Sequence, residues 1–333
     1  EAIKKCLIGY SKPPLIRILV TGGCGFIGSN FVNYAIQNRP DWYIVNIDAM
    51  HYCASQDHLL QEVHSSGRYT FVEGNIQDSS LVSHLLESRS ITHVLHFAAQ
   101  SHVQNSFDDA TSFVMDNVLG TQVLLECSRK YRKLKKFVHV STDEVYGEAL
   151  ESKKTEKSIL CPTNPYAASK AGAELMASAY AHSYRIPIVI TRGNNVYGPN
   201  QHHEKLVPCF INKVLNGEKM TVQGKGSAQR AFMHVSDTVK AFEYILDKGV
   251  IGEIYNIGCD EGTEYTVLEV AQLILESIKG KEESLENNIE FISDRPYNDR
   301  RYYISNDKLR DLGWEQKVSF QDGLQKLILH ISK

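Results

Sequence analysis

The chain has 333 residues, enough for one large domain or two intimate ones. Hydrophobic residues make up 42% and charged residues 23%, the balance of an ordinary globular protein, and the net charge of −3 offers no electrostatic footprint for nucleic acid or an anionic membrane. No apolar run approaches a membrane span. The seven cysteines (Cys6, Cys24, Cys53, Cys127, Cys161, Cys209 and Cys259) show neither zinc nor redox spacing, and their odd number argues against a disulfide framework, so a reducing, cytoplasmic setting is expected.

Residues 1–14 read as a loose tail closed by Pro13-Pro14. Ile16 to Val20 is then a short apolar strand running into Thr21-Gly22-Gly23-Cys24-Gly25-Phe26-Ile27-Gly28. A helix to about Asn38 follows, and a second strand from Trp42 to Ile47 ends at Asp48. In this pattern the glycines let the backbone turn tightly and approach a pyrophosphate, and the helix N-terminus supplies N–H groups. An acid about twenty residues further on can bind the ribose hydroxyls of NAD and would repel the extra phosphate of NADP. NAD is therefore the expected cofactor, held by Gly22, Gly25, Phe26, Ile27, Gly28 and Asp48.

Strands and helices keep alternating. Tyr69 to Glu73 is a strand, Asp78 to Ser88 a helix, Thr92 to Ala99 a strand, Asn105 to Tyr131 mostly helix, and Phe137 to Val140 a strand. Asn164-Pro165 opens a helix to about Tyr184, with Asn as N-cap and Pro in the first turn, and Ile186 to Thr191 is a sixth strand. The rhythm predicts an α/β, Rossmann-type doubly wound parallel sheet over 15–192. After Arg192 it breaks. Helices are expected over Glu204–Asn216, Ser236–Asp247, Thr266–Lys279 and Phe320–Ile331, with short strands near Val222 and Phe232. A strand from Glu253 to Ile257 would return to the sheet with its helix (about 235–258), leaving 193–333 mainly as a smaller substrate-binding lobe.

Two clusters carry chemistry. Ser141-Thr142-Asp143-Glu144 sits just past a strand end, where open parallel sheets bind ligands, and puts two adjacent carboxyls beside a hydroxyl. Tyr166 and Lys170 are four apart on one helix, hence on one face. A phenol titrates near ~10 when unperturbed. A neighbouring ammonium and a helix N-terminus both favour the phenolate, so the phenol of Tyr166 is expected to be lowered and to act as a base. His102 is given a structural hydrogen-bonding role, and the adjacent His202-His203 lack the further ligands a metal needs; no metal is expected.

The order of elements, the glycine turn and the Tyr-Lys pair resemble the extended short-chain dehydrogenase/reductase superfamily. Phe97-Ala98-Ala99-Gln100-Ser101-His102-Val103, Thr142-Asp143-Glu144, Asn194-Asn195-Val196-Tyr197-Gly198-Pro199, Glu204-Lys205-Leu206, Tyr255-Asn256-Ile257-Gly258 and Asp294-Arg295-Pro296-Tyr297-Asn298-Asp299 resemble the nucleotide-sugar 4,6-dehydratases, from about Ile16 nearly to the C-terminus. The resemblance implies oxidation of a nucleotide-linked hexose at C4, loss of water across C5 and C6, and hydride return to C6. It implies Tyr166 with Lys170 as redox base, Thr142 on the C4 hydroxyl, Glu144 as the base at C5 and Asp143 as the acid at C6. It adds Asn75, Ile76, Phe97, Ala98, Ala99 and Asn117 to the cofactor contacts. Ser101, Thr142, Asn195, Lys205, Leu206, Gln223, Arg230, Asn256, Arg295 and Asn298 become the substrate contacts, with Arg230 and Arg295 on the diphosphate. Asn75 replaces a common Asp, and Gln100 a common Glu. Gln100, with the Arg192–Gln201 stretch, is more similar to the dehydratase domain of plant UDP-rhamnose synthases, which favours UDP-glucose over the thymidine analogue. A homodimer through the helices ending at Tyr131 and beginning at Tyr166 is also implied. The alternatives are an epimerase or decarboxylase on the same fold, or a non-catalytic dinucleotide-sensing protein.

Overall fold

The structure is a computed structural model and describes residues 16–332, so the tail expected over 1–14 lies outside it. Strands β1 (Ile16–Thr21), β2 (Trp42–Asp48), β3 (Tyr69–Glu73), β4 (His93–His96), β5 (Lys136–Thr142) and β6 (Ile188–Gly193) come first; β7 (Asn195–Tyr197), β8 (Met220–Gln223), β9 (Gln229–His234) and β10 (Ile254–Ile257) follow. Seven of them form one sheet in the order β10-β6-β5-β4-β1-β2-β3, with every neighbouring pair parallel. The winding reverses between β1 and β4, and the crevice beyond the strand ends opens at that reversal. Leu19, Val20, Val94, Leu95, Phe137 and Val138 are fully buried, as strands covered on both faces must be.

The main helices are α1 (Phe26–Asn38), α2 (Ser79–Ser88), α3 (Gly120–Tyr131), α4 (Pro165–Tyr184), α5 (Leu206–Leu215), α6 (Val235–Lys248), α7 (Val267–Lys279) and α8 (Phe320–Ile331). Phe31 and Val32 of α1 and Phe242 and Ile245 of α6 join one apolar core; Leu85 of α2, Leu124 of α3 and Ala177 of α4 join the other. A third core packs α5, α7 and α8 against the C-terminal strands through Phe210, Ile274 and Leu324. No described helix is long and apolar enough to cross a membrane.

The α4 boundary is as the sequence suggests: Asn164 Oδ1 accepts from Ala167 N at 2.8 Å, and Pro165 takes the first helical position. Three boundaries differ. β4 ends at His96 rather than Ala99, because Ala98 N turns aside to donate to Thr21 Oγ1. β6 starts at Ile188 rather than Ile186, because Pro187 has no N–H for the ladder. The helix expected over 105–131 is broken into Val103–Asp108, Ala110–Phe113, a π-helical turn Val114–Leu119 and α3. Three short strands were not foreseen, β7 and β11 (Glu264–Thr266) on either side of β9 and β12 (Ile289–Ile292) beside β8.

One buried ion pair ties these layers together. Arg192, at the end of β6, grips Glu174 of α4 through Nε at 3.1 and 3.2 Å to the two carboxylate oxygens and through a further terminal nitrogen contact. Its Nη1 donates to Tyr146 Oη at 2.7 Å, and that hydroxyl donates to Asn256 Oδ1 at 2.8 Å. Tyr146 belongs to the 3₁₀ turn Asp143–Tyr146, so the pair fixes the turn that carries the two carboxyls. Removing one member of such a pair strands a charge in the interior. Arg192→Met is expected to cost about 3–5 kcal/mol of stability, with part recovered in Arg192→Met/Glu174→Leu. Equal denaturation midpoints for wild type and the single variant would contradict this.

Candidate active site

A cavity of about 970 Å³ opens beyond the ends of β1, β4, β5 and β6, and residues from 193 onward form its other wall. Every residue expected to touch cofactor, substrate or reacting atoms lines it except Asn117, Asp143 and Asn256.

At one end the backbone is shaped for a dinucleotide. Gly22 holds φ +72°, and a Cβ there would stand 2.8 Å from the Ala98 backbone. A Cβ on Gly28 would meet Gly22 O at 2.2 Å. Only glycine lets this turn close, and it leaves the N-terminus of α1, with no acid in its first turn, facing the cavity. Asn46 pins the turn through Gly23 N at 3.0 Å. Asp48 accepts from Cys24 N and Met50 N, both at 2.9 Å, one on each oxygen, and each oxygen keeps a second acceptor site for a ribose hydroxyl. The residues present therefore fit NAD. Asn75 lines the cavity while its Oδ1 accepts from Gln77 N. Gln100 donates to Asp116 Oδ2 at 2.9 Å, a bond a Glu at that position could make only by keeping its proton.

In the middle lie the groups for proton transfer. Asp143 is 2% exposed and sits under the cavity floor, with Asn194 Nδ2 donating to one oxygen at 2.7 Å and Thr142 Oγ1 to the other at 3.2 Å. Burial, then the neighbouring Glu144, pushes its carboxyl up to about 7, so Asp143 holds a proton near neutrality. Glu144 faces the cavity and accepts from Asn164 Nδ2 at 3.0 Å. Asn164 thus caps α4 with one amide atom and holds Glu144 with the other. Lys170 Nζ donates to Val140 O at 2.7 Å, and burial pulls the ammonium down to about 8. Tyr166 departs from expectation. Burial, then the Glu144 charge, raises its phenol, with the Thr142 hydroxyl opposing, so in the ligand-free protein the phenol moves up rather than down as Lys170 and the helix terminus had suggested.

The far end is cationic. Arg230 Nη2 donates to Asp299 O at 2.8 Å. Arg295 has a buried Nε with no partner, and burial together with Arg230 lowers its guanidinium. Two guanidiniums that disfavour each other's charge are relieved by an anion between them. Lys205 donates to Ser101 O at 3.0 Å, and burial lowers it too.

Two of the expected contacts are held by protein partners outside the cavity lining. Asn117 accepts from Gln100 N at 2.7 Å and donates to Ser169 Oγ at 2.8 Å, tying the Gln100 loop to α4. Asn256 is fully buried on Tyr146 and Lys154, away from the cavity. His102, expected to be hydrogen-bonded, has a buried Nδ1 without a partner, 3.9 Å from Glu204. Asn164, Asp299 and Tyr302 were not expected as site residues, although Asp299 closes the motif that points to Arg295 and Asn298 and Tyr302 lies three residues beyond it.

Residues 19–327 match the family described as GDP-mannose 4,6 dehydratase. The chain belongs to this dehydratase family. It is 44% identical over 313 residues to the Arabidopsis thaliana trifunctional UDP-glucose 4,6-dehydratase/UDP-4-keto-6-deoxy-D-glucose 3,5-epimerase/UDP-4-keto-L-rhamnose-reductase RHM2, covering 93% of this chain and 46% of that protein. The chain thus spans about half the length of that relative. It is 43% identical to human dTDP-D-glucose 4,6-dehydratase, covering 96% of this chain and 90% of that one. DesIV, the dTDP-glucose 4,6-dehydratase of Streptomyces venezuelae solved with NAD and TYD bound, superposes with a TM-score of 0.88 at 39% identity, covering 94% of this chain and 96% of that one.

The raised Tyr166 phenol has a measurable signature in the ligand-free protein. With ¹³C-labelled tyrosine, the Tyr166 Cζ resonance, assigned by its loss in Tyr166→Phe, is expected to stay that of a neutral phenol past the ordinary ~10. Ionisation below that value would contradict the balance of charges described here.

Proposed function

We propose that this chain dehydrates a nucleoside-diphosphate-glucose, with UDP-glucose favoured, to the 4-keto-6-deoxy sugar, using NAD through oxidation at C4, elimination across C5 and C6 and hydride return to C6. The observation that carries the reading is the buried Asp143–Glu144 pair, with Asp143 beneath the floor of the cavity that Glu144, Tyr166 and Lys170 line. An epimerase or decarboxylase would use Tyr166 and Lys170 but has no need of a neighbouring acid and base.

NAD⁺, when bound, supplies the hydride acceptor and donor and brings one positive charge into the cavity. Tyr166, once ionised to a phenolate that Lys170 and this added positive charge steady, takes the proton of the C4 hydroxyl, which Thr142 orients, and becomes a neutral phenol. The new ketone acidifies C5–H, and Glu144 removes that proton. Asp143, neutral below about 7, gives its proton to the departing C6 hydroxyl, which leaves as water. Arg230 and Arg295 grip the diphosphate, and Ser101, Asn195, Lys205, Leu206, Gln223 and Asn298 shape the remainder of the substrate site. In this reading the dinucleotide sits on 15–192 and the nucleotide-sugar mainly on 193–333.

The preference for uracil rests on the likeness of Gln100 and the 192–201 stretch to the plant UDP-sugar enzymes. Exposed Val114, Met115 and Leu119 beside α3, with Leu175 and Tyr184 of α4, support a homodimer through these helices. All six cysteines among the described residues are free, which supports a cytoplasmic setting.

With UDP-glucose deuterated at C4, mass spectrometry is expected to show a product lighter by one water with the deuterium at C6 and no net NADH. Asp143→Asn and Glu144→Gln are each expected to lower kcat on the order of 10²–10⁴-fold. Full turnover in both amide variants would instead favour the epimerase or decarboxylase reading.

A further inference from the structure

Glu144 does not stand alone at the cavity wall. Its Oε2 lies 3.3 Å from the hydroxyl of Tyr302, and the same hydroxyl lies 2.5 Å from Asp299 Oδ2. Tyr302 and Asp299 both line the cavity, yet they are only 3% and 2% exposed. Thr163 Oγ1 donates to Asp299 Oδ2 at 2.6 Å, while Asp299 Oδ1 is buried with no partner. Arg230 holds the arrangement in place: its guanidinium lies 4.5 Å over the Tyr302 ring and bonds the Asp299 carbonyl.

A phenol has one proton to donate. Between two carboxyls it serves one and turns lone pairs to the other. The two distances place the proton on the Asp299 side and leave Glu144 Oε2 facing the phenol oxygen. We propose that Tyr302 is a hydrogen-bond switch between Glu144 and Asp299, and that the side its proton takes sets how readily Glu144 accepts a proton from the sugar. Tyr302 and Asp299 are then positioning residues for the dehydration, and the inference rests on the function proposed above.

The switch has two settings. While the phenol donates to Asp299, the charged form of Glu144 keeps Asn164 as its side-chain donor but not the phenol, and Glu144 is the stronger base. Once Glu144 carries the C5 proton, its new O–H can donate to the phenol oxygen with the Tyr302–Asp299 bond intact, so the loaded base is stabilised too. When the phenol swings to Glu144, it stabilises the carboxylate after the proton has gone back to C5. No bond of the phenol breaks, and the proton taken from C5 stays on Glu144 until it returns. Burial and the two flanking carboxylates push the phenol far above its ordinary range, so Tyr302 keeps its own proton throughout. The other charged or titratable groups acting on Glu144 are Asp143, Tyr166, Lys205 and Arg295. None of these is hydrogen-bonded to Glu144 through its side chain; Tyr302 is.

The test is the pH profile of kcat, with UDP-glucose, for wild type, Tyr302→Phe and Asp299→Asn. Tyr302→Phe keeps the ring that Arg230 covers and removes both the donor that can swing to the Glu144 carboxylate and the acceptor for its protonated form; the bond to the charged form is the stronger of the two, so its acidic limb is expected to move to higher pH. Asp299→Asn no longer draws the phenol proton away, so its acidic limb is expected to move to lower pH. In Tyr302→Phe, kcat should fall roughly 10- to 100-fold with KM within about twofold. In the double variant the shift caused by Asp299→Asn should shrink, because the phenol that transmits it is gone. Limbs that move together or not at all, or complete loss of turnover in Tyr302→Phe, would overturn the switch, and Asp299→Asn reads it independently if the phenylalanine variant does not fold. A wild-type protein that forms no keto sugar would instead sink the dehydratase reading itself.

Discussion

Two neighbouring carboxyls in a place poor in water cannot both carry charge cheaply. Asp143 and Glu144 are under that constraint, and the surrounding structure separates them. Asp143 is pressed beneath the cavity floor on Asn194 and Thr142, where burial and its neighbour keep a proton on it. Glu144, one residue on, faces the cavity from the same 3₁₀ turn. An elimination needs an acid and a base at once, and one turn of backbone supplies both because its two side chains enter different surroundings.

That turn must be rigid for the difference to hold. It hangs from the end of β5, and the Arg192–Glu174 pair braces it through Tyr146, while Asn164 bonds Glu144 from the start of α4. Tyr166, Lys170 and Glu174 follow one another at four-residue spacing along α4, so a single helical stripe carries the proposed redox base, its neighbouring ammonium and the structural anchor. The sheet adds the second requirement. Its reversal between β1 and β4 opens the crevice, and the glycine turn keeps that crevice clear at the end of β1.

Much of this is legible in the sequence. The Gly22–Gly28 turn, Asp48 and the Asn164-Pro165 helix start are local signals, each set by backbone chemistry within a few residues. Errors arise where distant groups decide. Pro187 trims β6, and Thr21 pulls Ala98 out of the β4 ladder. Asn117 and Asn256 read as ligand contacts, but both amides turn onto protein partners outside the cavity lining, since a motif shows that an amide matters and not which way it points. Tyr302 is hard to see as a site residue because its partner, Glu144, lies 158 positions earlier, and Asp299 reaches Glu144 only through that phenol. The Tyr166 phenol is expected to fall, because the sequence shows Lys170 at four-residue spacing but not the burial and the Glu144 carboxylate that outweigh it.

The account depends most on the protonation of Asp143. Infrared difference spectroscopy on ¹³C-aspartate-labelled protein, wild type minus Asp143→Asn, reads it directly. The account predicts a protonated-carboxyl band that is present below about 7 and disappears as the pH rises through that value. A difference spectrum showing only carboxylate throughout the neutral range would contradict it, because the acid for the departing hydroxyl would then have no proton to give.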